Sequence, residues 1–413
     1  MHLKQADRFE RVAPTIIDPT RRGACPTLDA PMQTGDGLLA RIRVAGRMLS
    51  PAQLAALAHL TIAHGNGLLE VSARGNLQAR GLRPDSAPLF ARAATDLLPL
   101  ETGLVIDTSP LAGDDPVEKA DPRPLAMQIG NGALPLQDKL GPKVSVVIDG
   151  AGQIPLAAIK ADIRLTAHDA DHWHVHLGGG KAQLMDTDGA IAASLALLGA
   201  LAALGTDARA TDLFPASKSS VSIPAQAAST LPLPPPRGEG GGGGSATLRT
   251  FTGHTIPIAL PFGQMHGTAL IALAEAAQTA GVATIRLAPN HALLLDNAPA
   301  ALIEAAAALG FITDAADPRL RASACIGNEG CASGHIAARR LAAELAPLMP
   351  AGQHLHVSGC AKGCAHPRPS DVTLIGRDDG IGLVFAGRAG DTPQHILDEA
   401  DLIPALVARQ EAR

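Results

Sequence analysis

Two short stretches near the carboxyl end decide how the rest of the chain is interpreted: "CIGNEGCASGH" (Cys325 to His335) and "HVSGCAKGCAHPRP" (His356 to Pro369). They hold four of the five cysteines, spaced C-x5-C and C-x3-C. Glycines flank these thiols at positions 327, 330, 359 and 363. Thiolates on short loops bind either zinc or an iron–sulfur cluster. Zinc knuckles usually have tighter spacings, and glycines let the backbone pass close to a bulky cluster. The pattern favours a [4Fe-4S] cluster over zinc and over unrelated buried thiols.

The composition of the 413-residue chain limits its partners and its compartment. The net charge of −5, from 34 basic and 39 acidic side chains, argues against binding to nucleic acid or to a membrane surface. The start of the chain has no apolar segment typical of a signal peptide, and "ASLALLGALAALGTDA" from Ala193 predicts a buried helix. An odd number of clustered cysteines favours a metal or cluster in a reducing cytoplasm over a disulfide framework.

A low-complexity segment, "STLPLPPPRGEGGGGGSAT" (Ser229 to Thr247), predicts a linker between two halves. Each half has the order strand–helix–strand–strand. The first runs from "GLLARIRVAGRML" through a helix that begins at Ser50-Pro51 to "GLLEVSARGNLQARGL". The second runs through "TIPIALPFGQMHG", "GTALIALAEAAQTAG" and "VATIRLAPNHALLLDNA". These repeats predict a duplicated scaffold.

A second pair of segments follows these repeats. "GPKVSVVIDG" and "ADIRLTAHDADHWHVHLGGG" in the first half correspond to "HLHVSGC" and "DVTLIGRDDGIGLVFAGRAG" in the second. Each pair predicts a strand, a loop and a two-stranded hairpin. Since only the second copy contains the clustered cysteines, we expect one active half.

The cysteine spacing resembles the cluster motif of the sulfite and nitrite reductases, C-x5-C followed by G-C-x3-C. "SARGNLQARG" is similar to their T-x-R-Q-x-x-Q strand, and "SPLAGDDP" (Ser109 to Pro116) to a P-L-A-G-x-D-P turn. The resemblance extends from about Gly23 to Ala386, apart from the linker. It implies an α+β fold with ferredoxin-like half-repeats and two mixed α/β lobes. It also implies cluster ligation by Cys325, Cys331, Cys360 and Cys364, the last at the position that bridges to sirohaem in the reductases.

The same resemblance implies a division of the chain into five units. These are a first ferredoxin-like half-repeat (1–115), a first lobe without a cluster (116–228), the linker (229–247), a second half-repeat (248–315) and a second lobe with the iron–sulfur site (316–413).

Within that superfamily the sequence resembles most the precorrin-3B synthase family. "RRGACPTLDAPMQTGDGLLARIR" and "SGCAKGCAHPRP" support this resemblance. It implies an O2- and NADH-dependent monooxygenase that hydroxylates precorrin-3A and closes a lactone in aerobic cobalamin (vitamin B12) biosynthesis. No Rossmann fingerprint follows a predicted strand, so a separate reductase is a candidate electron donor. The alternative is a sirohaem-dependent sulfite or nitrite reductase. A third class, an electron carrier or a zinc-stabilised binding protein, fits the large duplicated scaffold less well.

A tetrapyrrole fringed with carboxylates requires cationic side chains around a flat cleft. The substrate-binding candidates are Arg41, Arg43, Arg74, Asn76, Gln78 and Lys143. Arg74 is favoured, because it alternates with Asn76 and Gln78 and so is expected to share a strand face with them. The alternative for each cation is ordinary surface charge.

Two cations of the reductases are missing. Ser145 stands where they have a second lysine, and "LVIDTSPLAG" lacks their basic residue before the turn. These losses fit a tetrapyrrole that binds as a transient substrate better than a tightly held sirohaem.

Histidines provide further candidates. In "DHWHVHLGGG", His172, His174 and His176 share one strand face, which indicates either a mononuclear iron that activates O2 or a solvated face.

Beside the second cysteine pair, His366 and Lys362 are the catalytic candidates. With Arg368 they could donate a proton or contact a carboxylate at the cluster edge, although loop solvation explains them equally well. Cys25 in "RGACPTL" is predicted to be structural.

Overall fold

The computed structural model describes residues 15–18, 25–214, 248, 251 and 255–411. The predicted linker, 229–247, lies outside the described residues. Within them, the strands of the first half are β1 (Met32–Thr34), β2 (Gly37–Ile42), β3 (Met48–Leu49), β4 (Leu68–Val71), β5 (Leu77–Leu82), β6 (Val105–Asp107), β7 (Ser145–Asp149), β8 (Ile163–Ala167), β9 (His172–Leu177) and β10 (Gln183–Asp186). Those of the second half are β11 (Thr255–Ala259), β12 (Gln264–His266), β13 (Ile285–Ala288), β14 (Ala292–Asp296), β15 (Ala322–Ala324), β16 (Leu355–Ser358), β17 (Ser370–Arg377), β18 (Gly380–Gly387) and β19 (His395–Leu397). The α-helices are α1 (Pro51–His64), α2 (Ala87–Leu97), α3 (Arg123–Ala133), α4 (Thr187–Leu204), α5 (Ala210–Leu213), α6 (Gly267–Thr279), α7 (Ala300–Ala308), α8 (Ala338–Leu345) and α9 (Leu402–Glu411).

The two half-repeats exchange one strand each. The first sheet has the order β1-β2-β5-β4-β12, and the second has the order β11-β14-β13-β3. Strand β12 of the second half thus pairs antiparallel with β4, and β3 of the first half pairs antiparallel with β13. Each sheet is completed by the other half, so an edge that would otherwise be unpaired is covered.

One long helix from each half-repeat packs against the other across a shared core. Helix α1 begins where the sequence predicts, with Pro51 in its first turn and Ser50 as N-cap in a capping box with Gln53. The side chains of α1 and α6 that are buried in this core include Leu54, Leu57, Leu270 and Leu273. The predicted strand–helix–strand–strand order is present in both halves, and the shared core joins them.

Two lobes of the same topology follow the half-repeats. Their sheets have the orders β10-β9-β8-β7-β6 and β19-β18-β17-β16-β15. In each, three parallel strands are followed by two antiparallel ones. Strand β7 is buried at every residue, as expected for an inner parallel strand. The second duplication predicted from the sequence is therefore present. Strand β6 belongs to the sheet of the first lobe although the proposed first unit, 1–115, includes it, and the five unit boundaries stay a proposal.

Helix α4 contains the apolar segment of the first lobe. By length and composition it could cross a membrane, but the core helix of a soluble protein passes the same test. Its Leu197, Leu198 and Leu201 are buried in the lobe core with Trp173 of β9. These contacts bury one side of α4 against the sheet of the first lobe.

Candidate functional site

The two cysteine loops begin at the same edge of the second-lobe sheet. Strand β15 ends just before Cys325, and β16 ends two residues before Cys360. The two strands are parallel neighbours, with Ala324 opposite Val357, so their carboxyl ends lie side by side. The backbone N–H of Gly359 donates to Cys325 Sγ at 3.0 Å. Parallel pairing therefore brings together thiols from two distant segments.

The remaining two thiols belong to the same group. Partial desolvation of the sulfur raises the pKa of the Cys364 thiol although the residue as a whole is exposed, and so does the proximity of the other three thiols, of which Cys360 has the largest effect. All five cysteines are free thiols. Cys364 is exposed, whereas the other three candidate ligands are half-buried. The structure thus gathers the four predicted cluster ligands.

Glycines leave space beside these sulfurs. A Cβ atom on Gly359 would lie 3.3 Å from Cys325 Sγ and 2.9 Å from the Cα of Gly327. A Cβ atom on Gly35, in the turn between β1 and β2, would lie 2.2 Å from Cys331 Sγ. The four thiols thus surround a space that residues larger than glycine would fill. This donor set fits an iron–sulfur cluster.

The arrangement does not match a site for one metal ion. A zinc site needs its sulfurs about 2.3 Å from one ion. In the part of the chain that the structure describes, no group of three or more His, Cys, Asp or Glu side chains is arranged to hold a single ion. The preference for a cluster over zinc therefore rests on the cysteine spacing and the flanking glycines, and the four ligand assignments stay a proposal.

Lys362, one of the two catalytic candidates, links both cysteine loops. Its Nζ donates to Ser333 Oγ at 3.1 Å. An open depression of about 830 Å³ is lined by Lys362 and by Cys360, among others. On its rim, His335 Nδ1 lies 3.1 Å from Asp378 Oδ1. The loops that carry the thiols are thus accessible from the surface.

His366, the other catalytic candidate, lies in a group of three imidazoles. Its ring centroid is 4.6 Å from that of His354 and 5.6 Å from that of His356. Burial, followed by the charge of His366, lowers the pKa of both His354 and His356 to about 4. His356 Nδ1 lies 2.9 Å from Ser323 Oγ, and its Nε2 is buried without a hydrogen-bond partner among the described residues. Sequence reasoning missed these two histidines, although their i, i+2 spacing in "HLH" was a usable signal.

Arg41 and Gln78 are the substrate-binding candidates that lie side by side. They face each other in the register of β2 and β5. Arg41 Nη1 donates to Cys25 Sγ at 3.1 Å, while Arg41 Nε is buried without a partner among the described residues. Gln78 is buried, and Cys25 is half-buried. The Nε–H of Arg41 is therefore a donor that a bound ligand could engage.

Arg74 and Asn76 do not share a strand face with Gln78, and that expectation is wrong. Both lie in the turn between β4 and β5, where the Gly75 N–H donates to Ser72 O at 2.8 Å. A turn interrupts the two-residue period on which the alternation argument depends.

The guanidinium of Arg74 is already engaged. It donates to Asp107 Oδ2 at 2.6 Å and to the carbonyl of Lys160. Arg47 binds the other carboxylate oxygen of Asp107 and the carbonyl of Arg74. Asp107 is almost completely buried at the end of β6. Arg74 therefore takes part in a buried ion-pair group, here called the Asp107 group (Arg47, Arg74 and Asp107).

The other two cationic candidates lie at the opposite end of β6. Arg43 donates to the carbonyls of Gly103 and Leu104, at 2.9 and 3.0 Å. Lys143 is exposed just before β7, the parallel neighbour of β6. The structure thus separates the six candidates into three places instead of gathering them around one point.

The mononuclear iron predicted at His172, His174 and His176 is not supported. The three residues do alternate along β9, with Trp173 and Val175 buried on the other face. However, His172 and His176 are four residues apart, roughly 13 Å along a strand at 3.3 Å per residue. His172 instead lies 3.0 Å from the carboxylate of Asp169. One ion cannot reach all three rings.

Comparisons with known proteins agree with this architecture. The family described as "Nitrite/Sulfite reductase ferredoxin-like half domain" matches residues 30–96. The solved structure of the NirA protein of Mycobacterium tuberculosis superimposes with a TM-score of 0.62 at 20% identity, over 88% of this chain and 78% of that one. A precorrin-3B synthase from Sinorhizobium sp. is 40% identical over 406 aligned positions, and the alignment covers 94% of this chain and 87% of the relative. The predicted fold class is confirmed.

Proposed function

We propose that this chain, a member of the precorrin-3B synthase family, is an oxidoreductase of cobalamin biosynthesis that hydroxylates precorrin-3A. Its membership of the family is established by one relative, which is 40% identical to it over nearly the full length of the chain. One oxygen atom of O2 enters the macrocycle, the other leaves as water, and two electrons from NADH balance the reaction. A carboxylate side chain of the substrate then closes the lactone. The observation that carries this proposal is the similarity along the whole chain together with the four gathered thiols.

The cluster would be held by Cys325, Cys331, Cys360 and Cys364. When bound, a [4Fe-4S] cluster supplies electrons one at a time. The surrounding protein controls access to it: Cys364 is exposed, and the depression at Lys362 reaches the same loops. A reductase that delivers NADH-derived electrons would approach from this side. Free thiols of this kind persist in the reducing cytoplasm, where we place the enzyme.

Substrate recognition requires donors for the carboxylates of the macrocycle. Arg41 is the strongest candidate, because its Nε is buried without a partner among the described residues. Unmet buried donors are costly unless a ligand engages them. Gln78, which faces Arg41, would add a neutral hydrogen bond. Arg43, Arg74, Asn76 and Lys143 lie elsewhere and would meet only outlying carboxylates of the macrocycle, Arg74 only where its pair with Asp107 leaves a donor free. Proton transfer at the cluster edge is assigned to His366 or Lys362.

The proposed reaction is tested with anaerobically purified protein. It is incubated with precorrin-3A, NADH, a reductase and isotopically labelled O2, and the product is analysed by mass spectrometry. We expect one labelled oxygen atom per product and a lactone. An absorption spectrum with strong haem bands, together with turnover of sulfite or nitrite, would instead favour the sirohaem reductase. An unlabelled product, or none with the cluster intact, contradicts the monooxygenase.

Arg41→Ala tests the substrate side. A charge-assisted hydrogen bond contributes about 1.5–3 kcal/mol, so precorrin-3A should bind about tenfold to a hundredfold more weakly. The cluster spectrum should be unchanged. Arg83→Ala is the matched control, since Arg83 forms an exposed pair with Asp85. Equal affinities of the two variants would remove Arg41 from the site.

A further inference from the structure

The turn between β1 and β2 lies directly against one cluster thiol. Its Gly35 carbonyl accepts the N–H of Ala332 at 2.9 Å, next to Cys331 in the first cysteine loop. A Cβ atom on Gly35 would lie 2.2 Å from Cys331 Sγ, closer than any real contact. The backbone of Gly35 is outside the left-handed region, so the turn conformation itself does not require glycine. Glycine is required here because the Cys331 thiol occupies the space that a side chain would need.

A buried ion pair fixes this turn. Asp36 follows Gly35, and its two carboxylate oxygens accept from Nε and Nη2 of Arg80, each at 2.8 Å. The Asp36 side chain is 1% exposed and that of Arg80 15%. Thr34 Oγ1 also donates to Asp36, at 2.7 Å. A bidentate guanidinium–carboxylate pair sets both distance and orientation, so the turn has one defined position on the sheet.

The hydrogen bonds continue from Arg80 across the same sheet. Arg80 Nη1 donates to Glu70 Oε2 at 3.0 Å, and Gln264 Nε2 donates to the same oxygen at 3.2 Å. Gln264 belongs to β12, the strand exchanged from the second half. Its carbonyl accepts from Arg339 Nη2 at 3.0 Å.

Arg339 lies on α8, the helix that follows the Cys331 loop. The series of contacts thus runs from the Cys331 loop through Gly35, Arg80 and Gln264 to Arg339, and it returns to the loop through α8. It crosses from the first half-repeat to the second on the way. The Cys331 loop is therefore held from both sides.

We propose that Gly35, Asp36 and Arg80 are positioning residues for Cys331, and that they hold this thiol where the cluster needs it. The proposal rests on the proposed cluster and goes beyond it, because it assigns residues of the cluster-free half to ligand placement. A cluster bound by four thiolates fixes Cys331 Sγ, whereas a free thiol can rotate away from an obstacle. Loss of such outer contacts typically weakens metal binding about tenfold to a hundredfold.

Gly35→Ala is the sharpest steric test. The new methyl group occupies the place of Cys331 Sγ, so the cluster should be lost or changed while the folded apoprotein survives. Gly199→Ala is the matched control, because nothing lies within 4 Å of a Cβ atom there. Iron and sulfide content, the electron paramagnetic resonance spectrum and the reduction potential are measured on both. A wild-type spectrum, potential and iron content in Gly35→Ala would overturn the proposal.

Arg80→Met, Arg80→Lys and the exposed control Arg83→Met test the ion pair. We expect iron loss to a chelator to be about tenfold to a hundredfold faster in Arg80→Met. Arg80→Lys should recover part of the loss, since it keeps the charge but not the bidentate geometry. Arg83→Met should behave as wild type. Equal iron loss in all four proteins contradicts the role of Asp36 and Arg80.

Alkylation of the apoprotein separates this proposal from the cluster assignment. The reaction of Cys331 with iodoacetamide, measured by mass spectrometry relative to Cys364, should accelerate in Arg80→Met but not in Arg83→Met. If wild-type protein contains no cluster, the proposed function fails, and the alkylation ratio still decides whether Cys331 is positioned. An unchanged ratio overturns the positioning role whatever the iron content.

Discussion

The two lobes share one sheet topology but carry different residues at one edge of that sheet. In the second lobe, Cys325 follows β15 and Cys360 lies just after β16. At the same edge of the first lobe, Thr108 follows β6 and Ala151 lies just after β7. Topologically equivalent loops therefore hold thiols in one copy and none in the other. The sheet places the loops, and the loop residues determine what the edge can do.

The edge of the first lobe has a different role. Asp107, the last residue of β6, is bound by Arg47 and Arg74, both from the first half-repeat. This Asp107 group attaches the lobe to the half-repeat. A duplicated edge thus serves candidate redox chemistry in one lobe and assembly in the other.

Replacing a thiol of the second lobe should have the largest effect. Cys325→Ser removes one of the four proposed ligands, so we expect loss of the chromophore, which is the brown absorption of an iron–sulfur cluster, and loss of activity. Thr108→Ala, at the equivalent place in the first lobe, and Cys25→Ser should retain both. Iron and sulfide analysis with a turnover assay measures the difference. Wild-type iron and sulfide in Cys325→Ser would remove the distinction between the lobes.

Asp107→Asn should destabilise the protein without affecting the chromophore. The Asp107 side chain is 2% exposed and that of Arg47 10%, so the variant leaves a buried guanidinium without its counter-charge. Removing one partner of a buried pair costs about 3–5 kcal/mol. Urea unfolding of the variant measures this loss.

Asp85→Asn is the control for Asp107→Asn. Its carboxylate pairs with Arg83 at the surface, where ion pairs contribute about 0–1 kcal/mol. Similar unfolding free energies for the two variants would show that the Asp107 group does not hold the lobe.

The second lobe should also be the more acid-sensitive one. His356 is fully buried on β16, whereas the equivalent strand β7 contains no histidine. Burial lowers the pKa of His356 from 6.5 to about 4. Between these values the unfolded chain binds a proton that the folded chain does not, so stability falls as the pH drops from about 6.5 to about 4.

His356→Gln tests this dependence in the apoprotein. From about pH 7 to about pH 5, protonation of His356 should lower the unfolding free energy of the wild type by about 2 kcal/mol. The variant lacks this contribution, so its unfolding free energy should fall by about 2 kcal/mol less over the same range. His59→Gln, at an exposed position of α1, should follow the wild type. If the unfolding free energy falls equally with pH in all three proteins, His356 is not the group responsible for the acid sensitivity.

The sequence predicts the parts of this molecule that depend on local pattern. The capping signal at Ser50 locates α1, and the spacing of Cys325, Cys331, Cys360 and Cys364 identifies thiols that the structure gathers. The exchange of β3 and β12 could not be predicted, because strands of two or three residues carry no usable period. The alternation assigned to Arg74 failed because a turn interrupts it.

Contacts between distant segments were also beyond the sequence. Gly35 and Cys331 belong to different halves, and no local pattern in either stretch indicates that they touch. The same holds for Arg41 and Cys25, whose contact depends on how the first segment lies over β2. Such pairs are determined by the tertiary fold, which one sequence does not reveal.

The smallest effect is expected from the segment that joins the two halves, 229–247. The exchanged strands and the shared core of α1 and α6 already hold the halves together, so the covalent connection adds little. Loop-closure entropy changes slowly with length, and deleting Gly241 and Gly242 should alter the free energy of unfolding by only about 0.1 kcal/mol. Urea unfolding and turnover should both match the wild type, as they should in a control with two added glycines. A large loss of turnover in the shortened chain, with unchanged stability, would mean that this segment contacts substrate or an electron donor.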